Sequence, residues 1–215
     1  DNPRALETRP GWVHPVMAPN TYRGPFRGGD TTEYYVAAVV QALARIEERG
    51  ETPAGFIAES VYGNAGGIPL PKGYLDQVYR MVRAAGGVCI ADEVQTGIGR
   101  LGDYFWGFEH QGASPDIVVL GKPLGNGHPL GAVVTTTEIA RSFDNGIEFF
   151  STFGGSTLSC RVGTEVLRIV RAGRNVVTPT GWFYPFKAHD VAELEAAEAA
   201  DDGEAMAHAH VSDRK

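Results

Sequence analysis

Cysteine is scarce in this chain of 215 residues: Cys89 lies in the apolar run "GVCIA" and Cys160 follows "STLS". Two isolated thiols build neither a disulfide framework nor a metal site with ligand spacing. They read as small, buried or half-buried residues of a protein in a reducing cytoplasm, and no metal is expected. Long hydrophobic runs are missing too. No stretch reaches the roughly 20 apolar residues of a membrane span, so no membrane partner is expected. Clustered positive charge is the third absence. The 19 Lys and Arg are scattered among 26 Asp and Glu, giving a net charge of -7 and a pI near 5.4. Neutralising a phosphate backbone needs grouped cations, so no nucleic-acid partner is expected. What is present is 43% hydrophobic and 10% aromatic residues, enough for one globular core at this length.

Residues 1–32 are rich in Pro, Gly and Arg and form an irregular N-terminal segment without a period. From Thr32, a candidate cap, Val36, Val39, Val40, Leu43 and Ile46 recur at helical spacing until Gly50. "GFIAES" (55–60) predicts a short strand, and a second helix is predicted over roughly 72–85. "GVCIADEV" (87–94), "DIVVLG" (116–121) and "GAVVTT" (131–136) predict further strands, with helices over 137–145 and 159–171. Strands alternating with helical stretches indicate an α/β fold with a mostly parallel sheet and flanking helices. Residues 172–215 form a divergent acidic, alanine-rich tail that reads as a solvated helix or as disorder.

In such sheets, ligands sit beyond the carboxyl ends of the strands. That rule places Asp92, ending "VCIAD", and Lys122, following "VVLG", in the expected site. Two glycine motifs nearby compete for attention. "GIGRLG" (97–102) matches G-x-G-x-x-G, but three polar residues separate it from the strand and no helix clearly follows. "GKP" at 121–123 lacks the Ser or Thr of a phosphate-binding P-loop. Schiff-base chemistry remains. A lysine at the dry end of a sheet is more easily deprotonated, because burial disfavours the ammonium form, and it can then attack an aldehyde. A pyridoxal cofactor also needs a carboxylate against its ring nitrogen, which keeps the ring an electron sink. Asp92 answers that need. Taken singly, a strand-end Asp also reads as a cap and a strand-end Lys as a solvated surface residue.

Together, "FIAESVYGNAGG", "GGVCIADEVQTGIGRLGDYFWGFE", "PDIVVLGKPLGNGHPLGAVVTT" and "FFSTFGGSTLSC" resemble the class-III aminotransferases, over roughly residues 10–170. The resemblance implies that residues 33–171 are part of the large domain of a fold-type-I enzyme dependent on pyridoxal 5'-phosphate. It makes Lys122 the Schiff-base lysine and Asp92 the partner of the pyridine nitrogen. Val94 would pack against the ring, Gln95 would bond near the phenolic oxygen, and Glu59 would lie close to the active site. Thr152 matches a threonine that reaches the cofactor phosphate of a neighbouring subunit, which implies a homodimer. The implied reaction moves an amino group from an amine or amino acid to an oxo acid, with Lys122 carrying protons.

The sequence also departs from the family. Many members carry Glu where this chain has Asn64, and that Glu pairs with an arginine that gates the substrate carboxylate. "AES" (58–60) and "GNGHP" (125–129) instead resemble the family's amine phospho-lyases, which eliminate phosphate and ammonia from phosphorylated amines. Ser156-Thr157 replaces a more usual Asn-Pro. The family's phosphate-cradling Gly-Ser turn and ring-stacking aromatic lie upstream of residue 1, and the residues after Arg171 do not resemble its small domain. The expectation is therefore a truncated product of an aminotransferase gene, with two explanations open: the central piece of a longer polypeptide, or a tail after about residue 171 that comes from a reading-frame change. A non-catalytic remnant that keeps Lys122 and Asp92 but holds cofactor poorly is the alternative. Apolar surface left bare at lost interfaces is expected to promote aggregation.

Overall fold

The apolar residues recurring after Thr31 wind into α1 (Thr32–Glu48), which buries Tyr35, Val36, Val39, Ala42 and Ile46 along one stripe. The computed structural model describes residues 7–176 and 209–211. Thr31, not Thr32, holds the cap position, and its side chain caps nothing. Thr32 instead donates its hydroxyl to the Lys72 carbonyl at 3.1 Å, tying α1 to the segment that opens the next helix. Gly50, at φ +68°, stops α1 in the left-handed conformation that a side chain would resist.

The chain then runs through β1 (Gly55–Glu59), a small hairpin of β2 (Val61–Tyr62) and β3 (Ile68–Pro69), and α2 (Tyr74–Ala84). Helix α2 buries Tyr74, Leu75, Val78, Tyr79 and Val82. Each such side chain contributes on the order of 1.5–3 kcal/mol by leaving water. No side chain caps α2 at Gly73, and the Leu75 N–H finds the Gln111 Oε1 at 3.4 Å instead. β4 (Val88–Asp92), β5 (Ile117–Leu120) and β6 (Ala132–Thr135) follow, then α3 (Thr137–Phe143) and α4 (Thr157–Arg171).

The main sheet has the order β1-β4-β5-β6, with the first three strands parallel and β6 antiparallel. A parallel neighbour requires a crossover, and α2 supplies it between β1 and β4. Between β4 and β5 the crossover contains a single 3-10 turn, Gly107–Gln111, in a stretch where the sequence predicted no helix. The antiparallel β6 needs no crossover, so the loop 121–131 reverses the chain directly.

Register and alternation divide the sheet into two unlike faces. Phe56, Ala58, Cys89, Ala91, Val118, Leu120 and Ala132 point to one side, where α1, α2 and α4 supply the packing partners. Ile57, Ile90, Ile117, Val119 and Val133 point to the other, and Ile57 and Val133 stay 60% and 66% exposed. Glu59 and Asp92 belong to this barer face. A parallel sheet is ordinarily covered on both sides.

Of the segment 172–215, Arg174–Val176 (β7) and Ala209–Val211 (β8) pair as an antiparallel ladder. The acidic stretch between them lies outside the described residues. Among the described residues, no helix is long and apolar enough to cross a membrane.

Burial separates the two thiols. Cys89 is fully buried, its Sγ donates to the Tyr79 carbonyl at 3.5 Å, and burial pushes its thiol up to about 11. Cys160 is exposed. A thiol reagent at neutral pH is expected to label Cys160 alone in the native chain, and both residues in denaturant. Rapid native labelling of Cys89 would contradict the closed core between α2 and the sheet.

Candidate active site

Parallel pairing brings strand ends together. Asp92 stands in register with Glu59 on β1 and Val119 on β5. Two residues beyond β5, Lys122 opens a 3-10 turn, Lys122–Leu124. The turn is closed by the Leu124 N–H on the Gly121 carbonyl at 2.7 Å and continues through the His128 N–H on Gly125 at 2.9 Å. Lys122 is exposed, and no ion pair engages its ammonium among the described residues. Asp92 is half-buried and accepts the Val94 N–H on Oδ1 at 3.1 Å. Its other oxygen accepts no hydrogen bond from the described residues.

Three of the remaining predicted residues, Glu59, Val94 and Gln95, lie around the same strand ends. Glu59 accepts the Gly63 N–H at 2.9 Å. Burial first, and the Glu59 charge second, push the phenol of Tyr62 up to about 12. Val94 lies beneath the exit of β5, where a Cβ on Gly121 would come within 3.1 Å of Val94 Cγ1. The Gln95 side chain lies against Gly63, where a Cβ would stand 2.8 Å from its Cδ. Its Nε2 donates to Asn64 Oδ1 at 3.1 Å, while its Oε1 is buried without a partner. Asn126, at φ +45° in the lysine loop, also buries an unpartnered Oδ1. His128 pins that loop to α4 through a 2.8 Å hydrogen bond with the Ser159 hydroxyl.

Thr152 stands apart. It sits in the exposed loop between α3 and α4, among Ile147, Phe149, Phe150 and Phe153, which are 75–87% exposed. It makes none of the hydrogen bonds that join the cluster. The glycine motif at 97–102 forms turns, with Ile98, Gly99 and Gly102 at positive φ, and presents no helix N-terminus to a pyrophosphate.

Sequence reasoning missed Glu93, whose side chain is fully buried. Oε1 accepts the Ser60 hydroxyl at 2.8 Å and the Phe108 N–H at 2.9 Å. Oε2 accepts the Thr96 hydroxyl at 2.9 Å and the Gly107 N–H at 2.8 Å. Burial pushes the carboxyl above its ordinary range, and hydrogen bonds from Gly107, Ser60, Thr96 and Phe108 offset only part of that rise. The geometry favours the anion. Each oxygen faces one backbone N–H, which can only donate, and a carboxylate offers two lone pairs per oxygen to meet both donors. Removing an ionised carboxylate from water costs several kcal/mol, and hydrogen bonds to a charged group return about 1.5–3 kcal/mol each. The available signal was a second acidic residue closing an apolar run, with Ser60, Thr96, Gly97 and Gly107 as its later neighbours.

A sheet that brings a lysine just past one strand and a carboxylate ending the next to the same rim is the large-domain arrangement of fold-type-I enzymes dependent on pyridoxal phosphate. Comparison with known proteins bears this out. The family described as Aminotransferase class-III matches residues 8–177. An alanine–glyoxylate aminotransferase 2-like protein of Drosophila melanogaster is 44% identical over 170 residues, covering 76% of this chain and 34% of its own length. A phospholyase from Arthrobacter, solved in complex with phosphoethanolamine, superposes with a TM-score of 0.66 at 36% identity, over 74% of this chain and 38% of that one. An amine transaminase from an uncultivated Pseudomonas species, in a form with pyridoxal phosphate bound, gives a TM-score of 0.66 at 30% identity, over 73% and 37%. The chain belongs to the class-III aminotransferase family, and it spans little more than a third of the length of these relatives.

The family's cofactor is pyridoxal phosphate, and the residues present fit it. Among the described residues, a lysine without an ion pair, a carboxylate with one oxygen open and the buried, unpartnered Oε1 of Gln95 all lie at one end of the sheet.

The Glu93 cage leaves no room for an extra methyl. A Cβ on Gly107 would meet the Ser60 Cβ at 2.9 Å and the Thr96 Cβ at 3.0 Å. Gly107→Ala is expected to cost about 1–3 kcal/mol in denaturant unfolding. An unchanged midpoint would show that the cage is looser than these distances require.

Proposed function

We propose that these residues belong to a transaminase that moves an amino group from an amine or amino acid to an oxo acid. The observation that carries this reading is the placement of Asp92 and Lys122 at the same end of adjacent parallel strands, in a chain of this family. Pyridoxal phosphate, when bound, supplies an electron sink for the negative charge that develops at the substrate carbon. Lys122 would hold the cofactor through its aldehyde, and its Nζ would be the group that moves a proton at the substrate carbon. Asp92, with one oxygen open, would keep a proton on the ring nitrogen. Val94 offers an apolar surface to the ring, and Gln95 a hydrogen bond near the phenolic oxygen. Glu59 completes the polar edge toward the substrate.

Thr152 is read as serving a second copy of the chain, in a homodimer. The exposed aromatic residues on both sides of it support that reading, since a surface of this kind marks an interaction site. Two free thiols support a reducing, cytoplasmic setting.

A second reading has its own support. Asn64 is neutral and bonded to Gln95, so it offers no carboxylate to a gating arginine. This, with the likeness to the Arthrobacter phospholyase, supports an amine phospho-lyase that eliminates phosphate and ammonia. In either reading the chain alone is proposed to be weakly active, because Lys122 is exposed and not enclosed in a pocket that would hold a cofactor against it.

Lysine is rare enough for a clean test: the chain has four, Lys72, Lys122, Lys187 and Lys215. Borohydride reduction in the presence of pyridoxal phosphate is expected to fix the cofactor on the peptide carrying Lys122 and to fail in Lys122→Ala. Label spread over the other lysines would sink the assignment. Where an amino donor is turned over, ketone and aminated acceptor are expected in equal amounts. Phosphate released from phosphoethanolamine without an oxo acid would establish the lyase instead.

A further inference from the structure

Glu93 bonds to the segments that carry Glu59, Gln95 and, through β5, Lys122, yet its carboxylate points away from the bare face that Asp92 occupies. Its backbone N–H donates to the Val119 carbonyl of β5 at 2.9 Å, three residues before Lys122. Its side chain reaches Ser60, the residue after Glu59, at 2.8 Å. It closes the turn that follows β4 by accepting from Thr96 at 2.9 Å, and Val94 and Gln95 lie inside that turn. The remaining two donors, the Gly107 and Phe108 amides, come from the 3-10 turn in the crossover. Glycine at 97 and 107 lets the backbone close around the carboxylate: a Cβ on Gly97 would stand 3.1–3.3 Å from three Glu93 atoms.

We infer that Glu93 is a positioning residue for the cofactor site, an anion that fixes Asp92 and Gln95 relative to Lys122. This rests on the proposed function, because Asp92 and Gln95 are its cofactor-facing residues. The physical basis is that no small displacement of the turn preserves the arrangement. Four donors converge on two oxygens, so moving the turn breaks a charge-assisted hydrogen bond in a dry environment, where water cannot replace it. Directly before Glu93, the end of β4 is held in register. Directly after it, the backbone of 94–96 is drawn back onto the same carboxylate, and the Gln95 side chain is thereby delivered to Asn64. Because the donors come from separate parts of the chain, satisfying the carboxylate also ties those parts to one another.

The test uses the full chain with two substitutions that separate hydrogen bonding from packing. Thr96→Val keeps the shape and removes the hydroxyl; Thr96→Ser keeps the hydroxyl and loses the methyl. In Thr96→Val, amide hydrogen exchange at 92–97 and 107–108 is expected to quicken about tenfold, as for one lost charge-assisted bond, while α1 and α2 stay protected. The Gln95 side-chain amide signals should shift in the same variant. Pyridoxal phosphate affinity should fall about tenfold, with a shifted absorbance maximum of the bound cofactor. Thr96→Ser should behave as the parent in all of these. Equal effects of the two substitutions would overturn the inference, as would loosened exchange with unchanged Gln95 signals and cofactor spectrum. Failure of the parent chain to take cofactor at Lys122 would count against the proposed function; the exchange pattern and the Gln95 signals then decide the positioning role by themselves.

Discussion

One buried anion sets the geometry on which the rest of this rim depends. Glu93 cannot reach water, so every lone pair it presents must be met from within the chain. The donors come from the residue after β1, from the turn after β4 and from the crossover before β5. Satisfying that single side chain therefore assembles three pieces of backbone whose order in the sequence is far apart. The apolar core between α1, α2 and the sheet supplies most of the stability, but it does not dictate where the strand ends stop. The carboxylate does. Asp92 and Gln95 inherit their positions from a neighbour that faces the other way.

The regular elements were legible because their patterns are local. The residues of α1 that end up buried recur at helical spacing, and the four strands of the main sheet read as short apolar runs. The direction of β6 was not legible, since an antiparallel strand buried on one face carries the same residues as a parallel one. The crossover from β4 to β5 was read as less helical than the alternation rule requires, and it contains one 3-10 turn. Thr32 misled as a cap because a hydroxyl before an apolar period has the same appearance whether it bonds its own helix or, as here, the Lys72 carbonyl.

At the site, Asp92 and Lys122 followed from the rule about strand ends, and Gln95, Val94, Glu59 and Thr152 only from family likeness. Their mutual arrangement came from the structure. Asn64 and Gln95 are 31 residues apart and meet because the β2–β3 hairpin folds back beside β4. Glu93 was hidden for a physical reason. A charged residue in a sequence is read as solvated, and the opposite outcome depends on donors that no local pattern announces. The functional residue least visible in the string is the one most enclosed in the fold.

The one-sided cover of the sheet bears on how strongly charges act along its rim. Glu93 lies within the packed side, where the effective dielectric constant is low, and Asp92 lies on the face that water reaches. Two unit charges 4 Å apart attract by about 1 kcal/mol in bulk water and about 4 kcal/mol at an effective dielectric constant near 20. Neighbours in sequence, these two carboxylates thus differ several-fold in the energetic weight of any cation placed beside them. A layer laid over the bare face, whether chain or ligand, would raise the weight of Asp92 without moving an atom of it. The strength of the field at this rim is a property of what covers the sheet as much as of the residues it carries.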